Sequence, residues 1–203
     1  MLFLGGFYQQ IILPWAQQFN HLPLVKLMVE SLDKTILYCL IYLACRLVYC
    51  LVKHRSTSIR EELHRFVFVF YVCLLVSLTV LRHIYYPWQL QLYVNRPLSQ
   101  INLTPFVETL KLRQAPAQLD YWYNLYGNVL WFIPFGWLKS SLTKKPHSAF
   151  KVICQGALLS LGIESAQFIL GTGLADIDDL IFNMIGAIIG VILYQSVNRL
   201  KKR

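Results

Sequence analysis

The chain has 203 residues, of which 56% are hydrophobic and 14% are charged, and its formal net charge at pH 7 is +9. An ordinary soluble domain is less apolar and has about 25% charged residues, so the composition excludes that class and indicates an integral membrane protein. Nucleic-acid binding would need the basic residues on one continuous face. They instead cluster between apolar runs, as membrane topology predicts, and we expect no nucleic-acid partner.

The first thirty residues are apolar, but two adjacent glycines, two prolines and four glutamines interrupt them. Trp15 and Tyr8 are residue types that favour the boundary between lipid and water. We therefore predict that residues 1–30 form an interfacial or re-entrant segment, in preference to a true span.

Apolar runs of 16 to 22 residues follow, and about twenty residues are enough to cross about 30 Å of hydrocarbon as a helix. A long connection, 82–123, contains four prolines and is too polar to cross. The sequence therefore predicts an all-α fold, a polytopic integral membrane protein whose residues 1–203 form a single membrane domain. We expect about five transmembrane helices, at about 31–52, 66–81, 124–142, 151–170 and 179–197.

Arg46 lies inside the first of these spans. We favour the interpretation that its long side chain extends toward Lys53 and reaches the membrane surface, which lies about 10 Å away at 1.5 Å per residue. The alternative is that Arg46 is a buried partner for Glu164.

The distribution of basic residues predicts the orientation. The segments 53–65 and 139–151 and the C-terminal tail contain 12 of the 19 Lys and Arg residues, and only two acids. Segments rich in Lys and Arg belong on the cytoplasmic side. We therefore expect a multi-pass protein of the cell membrane with its N-terminus outside and its C-terminus in the cytoplasm.

Residues 160–190 place one glutamate, three aspartates and one asparagine in two otherwise apolar helices. A carboxylate in hydrocarbon costs about 2.5 to 3.5 kcal/mol on insertion scales, so such groups are functional candidates. Polar and small residues recur every three or four positions on each helix and form one stripe. The first stripe contains Gly156, Ser160, Glu164, Gln167 and Gly171, and the second contains Asp176, Asp179, Asn183, Gly186 and Gly190.

The turn 171–173 joins the two helices, so Glu164 and Gln167 should lie at about the depth of Asp179 and Asn183. The glycines should let the two backbones approach. With the orientation above, this polar cluster lies toward the outer leaflet.

Two interpretations of the cluster stay open. Asp176 and Asp178 can stabilise a helix start, because an aspartate there accepts from first-turn amides and suits the helix dipole. The cluster can also be a ligand site of three kinds: a divalent cation held by carboxylates, a carboxylate pair that acts as general acid and base, or an acidic site that holds a cationic group. The positions of the histidines argue against zinc, and no Walker, G-x-S-x-G or H-E-x-x-H motif occurs.

Four blocks together resemble the VanZ-like membrane family over about residues 66–197. They read N-L-T-P-F at 102–106, G-N-V-L-W-F-I-P-F-G at 127–136, S-L-G-I-E-S-A-Q at 160–167 and D-I-D-D-L-I-F-N-M-I-G at 176–186. The family pattern often has an arginine shortly before the last block, where this chain has glycine, leucine and alanine. The resemblance implies a cell-envelope protein and lowered susceptibility to teicoplanin, without a settled reaction.

We therefore expect a protein that binds a lipid-linked or cell-wall component at an acidic outer-leaflet site and lowers susceptibility to glycopeptide or lipopeptide antibiotics. Its other partner is the lipid bilayer, and a divalent cation is the one cofactor left open. A membrane-embedded hydrolase or transferase with paired carboxylates is the first alternative, and a small transporter is the second. The candidate binding residues are Asn102, Asn128, Glu164, Gln167, Asp176, Asp178, Asp179 and Asn183.

Overall fold

The computed structural model describes residues 1–18, 22–54, 58–82, 84–114, 118–143 and 149–201. Within these ranges every regular element is helical, apart from one isolated bridge between two residues, which confirms the predicted all-α class. The chain divides into two compact units, Met1–Leu90 and Gln91–Arg203. The prediction of a single membrane domain stays a prediction.

The first unit has a short helical segment followed by two long helices. The segment consists of α1 (Gly5–Phe7), a π-helical turn (Tyr8–Ile12) and α2 (Leu13–Ala16). The long helices are α3 (Leu22–Lys53) and α4 (Ile59–Thr79).

Asp33 of α3 holds the start of the chain. Its carboxylate is fully buried and accepts hydrogen bonds from the backbone N–H groups of Leu2, Phe3 and Leu4, at 2.7, 2.8 and 2.6 Å. The Tyr85 hydroxyl also donates to it, and burial together with this hydrogen bond raises the pKa of Tyr85. A buried carboxylate is stabilised when several donors satisfy it. Nothing in the local sequence pattern predicted this contact.

Arg46 has a partner that neither sequence-based interpretation named. Its Nε and Nη2 atoms donate to the two carboxylate oxygens of Glu62 at 3.0 and 2.7 Å. The expectation that Arg46 pairs with Glu164 was therefore wrong, whereas its extension toward the membrane surface stays a prediction. The reason is that α4 begins at Ile59, about two helical turns before the predicted start at residue 66, and these turns carry Glu62.

The second unit contains the short helix α5 and three long helices. The bounds are Val107–Gln114 for α5, Gln118–Leu142 for α6, Ala149–Leu170 for α7 and Ile177–Leu200 for α8.

Helices α6 and α8 run parallel and nearly touch through their backbones. A Cβ atom added at Gly186 would lie 2.2 Å from the backbone oxygen of Val129, and one at Gly190 would lie 2.1 Å from that of Ile133. Gly136 lies in the same contact, since its Cβ would meet the Ala187 oxygen at 2.2 Å. A side chain at any of these three positions would prevent this approach, so glycine is needed there, as in close crossings of membrane helices.

The expectation that the α8 glycines pack against α7 was wrong, because Gly186 and Gly190 face α6. Successive members of the α8 stripe are rotated by 300° or 400°, so the stripe is about 80° wide and can face two neighbouring helices. Asn183, on the same stripe, does reach Ser160 of α7. On α7, Gly156 packs against Ala187, as expected.

Four helices in the described part of the chain are long and apolar enough to cross a membrane by length and composition. They are α3, α4, α7 and α8 and correspond to four of the five predicted spans. The fifth predicted span, 124–142, lies within α6, whose asparagine, lysine and serine residues lower its hydropathy. That α6 crosses the bilayer stays a prediction, and so does the interfacial position of residues 1–30.

Candidate functional site

The turn between α7 and α8 brings the two polar stripes together. Gly171 has a φ of +66°, a left-handed conformation that glycine adopts without strain. The backbone N–H groups of Thr172 and Gly173 donate to the Gln167 carbonyl at 3.0 and 3.4 Å and end α7. Asp176 then begins α8 as its N-cap, and its side chain accepts from the Asp178 N–H at 2.9 Å.

Glu164 is the most deeply placed carboxylate of the cluster. It is 6% exposed, and its Oε2 atom accepts a hydrogen bond from the backbone N–H of Asp176 at 3.2 Å. The carboxylates of Asp179 and Asp176 lie close enough to repel its charge. Three acids from two helices therefore meet at this point.

Two asparagines from outside α7 and α8 bind the aspartates. Asn128 of α6 donates through Nδ2 to the Asp179 carboxylate. Asn102 donates through Nδ2 to Asp176 at 2.9 Å, and its backbone forms the isolated bridge with the same residue. Both aspartates are half-buried, whereas Glu164 is buried. The cluster therefore contains two partly exposed carboxylates and one buried carboxylate.

Asn183 lies one helical turn deeper than Asp179. Its Nδ2 atom donates to the Ser160 hydroxyl at 2.9 Å. Its Oδ1 atom is buried and accepts no hydrogen bond from the described residues. Gln167 is also buried and packs against Gly173. Asn183 thus lies between α7 and α8, and Gln167 lies beside the turn that joins them.

Asp178 points away from the other acids. It is 2% exposed and accepts hydrogen bonds from the Phe106 N–H and the Thr109 hydroxyl, both at 2.6 Å. These contacts satisfy the backbone at the start of α5, so Asp178 has a structural partner there. These contacts separate the Asp178 carboxylate from the other acids.

Arg96 is a residue near the site that the sequence did not indicate. Its Nη1 atom donates to the carbonyls of Phe168 at 2.9 Å and Gly173 at 3.1 Å, and its guanidinium lies over the Phe168 ring at 4.7 Å. It therefore fixes the turn that carries the acids. The one available signal was that no arginine precedes the D-I-D-D block; no spacing rule relates residue 96 to residue 173.

The chemistry of the cluster follows from its charge. Carboxylates that are buried close to one another cost free energy unless a cation, a proton or strong donors stabilise them. Within the described ranges, no group of three or more His, Cys, Asp or Glu side chains is arranged to hold a metal ion.

Comparison with known proteins gives two matches. The family model described as VanZ/LLP1 matches residues 68–198. The protein named Protein VanZ from Enterococcus faecium is 35% identical over 109 residues, which are 52% of this chain and 58% of that relative. The match thus covers less than two thirds of the relative's length. No solved structure matches the chain.

Proposed function

The chain belongs to the VanZ/LLP1 family, and from this premise we propose that it is a cell-envelope membrane protein that binds a lipid-linked cell-wall component. Glu164, Asp176 and Asp179 form the acidic binding site, with Asn128 and Asn183 beside them. The bound group is a cation, such as the free amine of a lipid-linked peptide. By occupying this component, the protein lowers susceptibility to teicoplanin and related glycopeptide or lipopeptide antibiotics.

One observation carries the proposal, namely the placement of the buried Glu164 beside two half-buried aspartates. A structural carboxylate in a membrane helix is expected to receive donors that satisfy it, as Asp33 does from three backbone N–H groups. Within the described residues, Glu164 receives one hydrogen bond, from the Asp176 N–H. A cationic ligand would supply the stabilisation that the protein contributes only in part.

Binding of an amine is the direct test of this function. We expect purified protein in nanodiscs to bind a lipid-linked muropeptide with a free side-chain amine about tenfold or more tightly than the same molecule acetylated at that amine, since acetylation removes the charge. Fluorescence anisotropy of a labelled muropeptide measures both affinities. Equal affinities would refute a cation-binding site.

A membrane-embedded hydrolase or transferase remains the second candidate, because two carboxyl groups in one site can divide the roles of general acid and base. The same nanodiscs, incubated with radiolabelled envelope lipids with and without magnesium, separate the two functions. Turnover supports the enzyme, whereas binding of intact lipid without product supports the binding protein.

An outward-facing site requires the orientation that the basic residues predict. Leu174, in the α7–α8 turn, and Lys201, after α8, are both exposed. Each is replaced singly by cysteine in a chain from which the native cysteines have been removed. We expect an impermeant maleimide added to intact cells to label position 174 and to label position 201 only after lysis, since the basic C-terminal tail is cytoplasmic. The reverse pattern would place the acidic site in the cytoplasm.

A further inference from the structure

Residues 91–106, which we call the strap, are bound along the turn between α7 and α8. The Tyr93 N–H donates to the Ile169 carbonyl at 2.8 Å, and the Asn102 N–H donates to the Ala175 carbonyl at 2.9 Å. In return, the Ile177 N–H donates to the Asn102 carbonyl at 3.0 Å. Arg96 and Phe106 add the bonds described above, so the strap is held at both ends and in the middle.

These contacts place the strap at the edge of the bilayer. At 1.5 Å per residue, α7 and α8 are about 33 and 36 Å long, slightly more than the hydrocarbon thickness of about 30 Å. The turn between two such spans therefore lies at the boundary between lipid and water. A strap that is hydrogen-bonded to this turn lies at the same depth.

Several large apolar side chains of the strap are exposed. Leu98 is 75% exposed and Leu103 is 73% exposed. The other large exposed apolar residues of the strap are Leu92, Tyr93, Val94 and Phe106. Soluble surfaces rarely expose so many large apolar side chains together. The strap also has one basic residue and no acid, a charge that suits a lipid headgroup region and does not oppose insertion.

An exposed apolar residue of α7 lies beside the strap. Ile169, whose carbonyl receives the Tyr93 N–H, is exposed near the end of α7. We propose that the strap is a membrane-docking surface whose exposed leucines insert into the lipid interface above the acidic site. The proposal rests on the spans α7 and α8 and does not depend on the ligand of that site.

Accessibility of spin labels tests the insertion. Labels are placed singly at Leu98 and Leu103 and, as matched controls, at their exposed polar neighbours Ser99 and Thr104, with Lys201 as the aqueous reference. The protein, with its five native cysteines replaced, is reconstituted in vesicles of phosphatidylethanolamine and phosphatidylglycerol. We expect the ratio of oxygen to nickel-chelate accessibility to be at least about threefold higher at the leucines than at their neighbours, because interfacial helices and loops bury their apolar side by about 5 to 10 Å.

Equal ratios at all four positions, or ratios like that of residue 201, would overturn the proposal. Low accessibility to both reagents together with dipolar broadening between labels would also overturn it, since a second copy would then cover the strap. The chain without cysteines must stay monodisperse for this experiment. If it does not, a photoreactive amino acid is placed at position 98 or 99 of the otherwise native chain instead of a spin label. Lipid adducts at 98 but not at 99 support insertion, and adducts at neither position refute it.

Discussion

Replacement of Gly190 by leucine is expected to prevent the second unit from folding. The first added carbon would lie 2.1 Å from the Ile133 oxygen, 2.8 Å from the Trp137 nitrogen and 3.0 Å from the Gly136 Cα atom. All three are backbone atoms, so no side chain can rotate away to make room. Overpacking by a few methylenes already costs about 1 to 3 kcal/mol in cores, and separating two helices forfeits their whole contact. We therefore expect the free energy of unfolding of this variant to fall by more than about 3 kcal/mol.

Gly162 provides the matched control. It lies in α7, and a Cβ atom there would have no neighbour within 4 Å. Gly162→Leu should therefore leave the protein as stable as wild type or slightly more stable, because leucine favours a helix over glycine by up to about 1 kcal/mol. Detergent extraction followed by size-exclusion chromatography and thermal unfolding measures all three proteins. Wild-type yield and thermal stability of Gly190→Leu would contradict the close α6–α8 contact.

Removal of the charge of Glu164 is expected to abolish lowered antibiotic susceptibility without removing the protein. Glu164→Gln keeps the shape and one oxygen of the side chain but loses the charge, and Asp179→Asn does the same on α8. A charged hydrogen bond contributes about 1.5 to 3 kcal/mol, so each substitution should weaken binding of the amine roughly tenfold or more. Teicoplanin susceptibility and protein abundance, measured together in an expressing strain, check this result.

The double variant tests whether the two acids act together. If Glu164 and Asp179 bind one group, combining Glu164→Gln with Asp179→Asn should cost little beyond either single change, because neighbouring groups in one site are not additive. Glu61→Gln is the control, since it removes a carboxylate that pairs with Arg65 in the first unit. Resistance equal to wild type in Glu164→Gln at normal abundance would mean that this carboxylate is structural.

The sequence by itself determined the features that depend on local pattern. Runs of apolar residues predicted the helices α7 and α8 within a few residues at each end, because helix length and hydropathy are properties of one continuous segment. The three-and-four spacing of Glu164 and Asp179 on helices joined by a short turn was enough to predict that they lie at about the same depth. The family followed from four blocks that are each short but keep their order.

Contacts between distant segments could be decided only by the tertiary structure. Asp33 binds the start of the chain, Arg46 pairs with Glu62, and Arg96 fixes the turn after α7. None of these pairs has a periodic spacing, because each depends on how helices or loops are placed against one another after they form. The sequence therefore showed that charged residues stood in or near membrane helices, but not which groups satisfy them.

The same distinction applies to faces of one helix. The stripe on α8 was correctly recognised as a single surface, yet its glycines pack on α6 and its Asn183 reaches α7. Asp178, one residue before Asp179, points to the start of α5. Periodicity shows which residues share a face, since the helix repeat is fixed. Which neighbour covers that face depends on how α6, α7 and α8 pack together, because each contact limits the positions that the other helices can take.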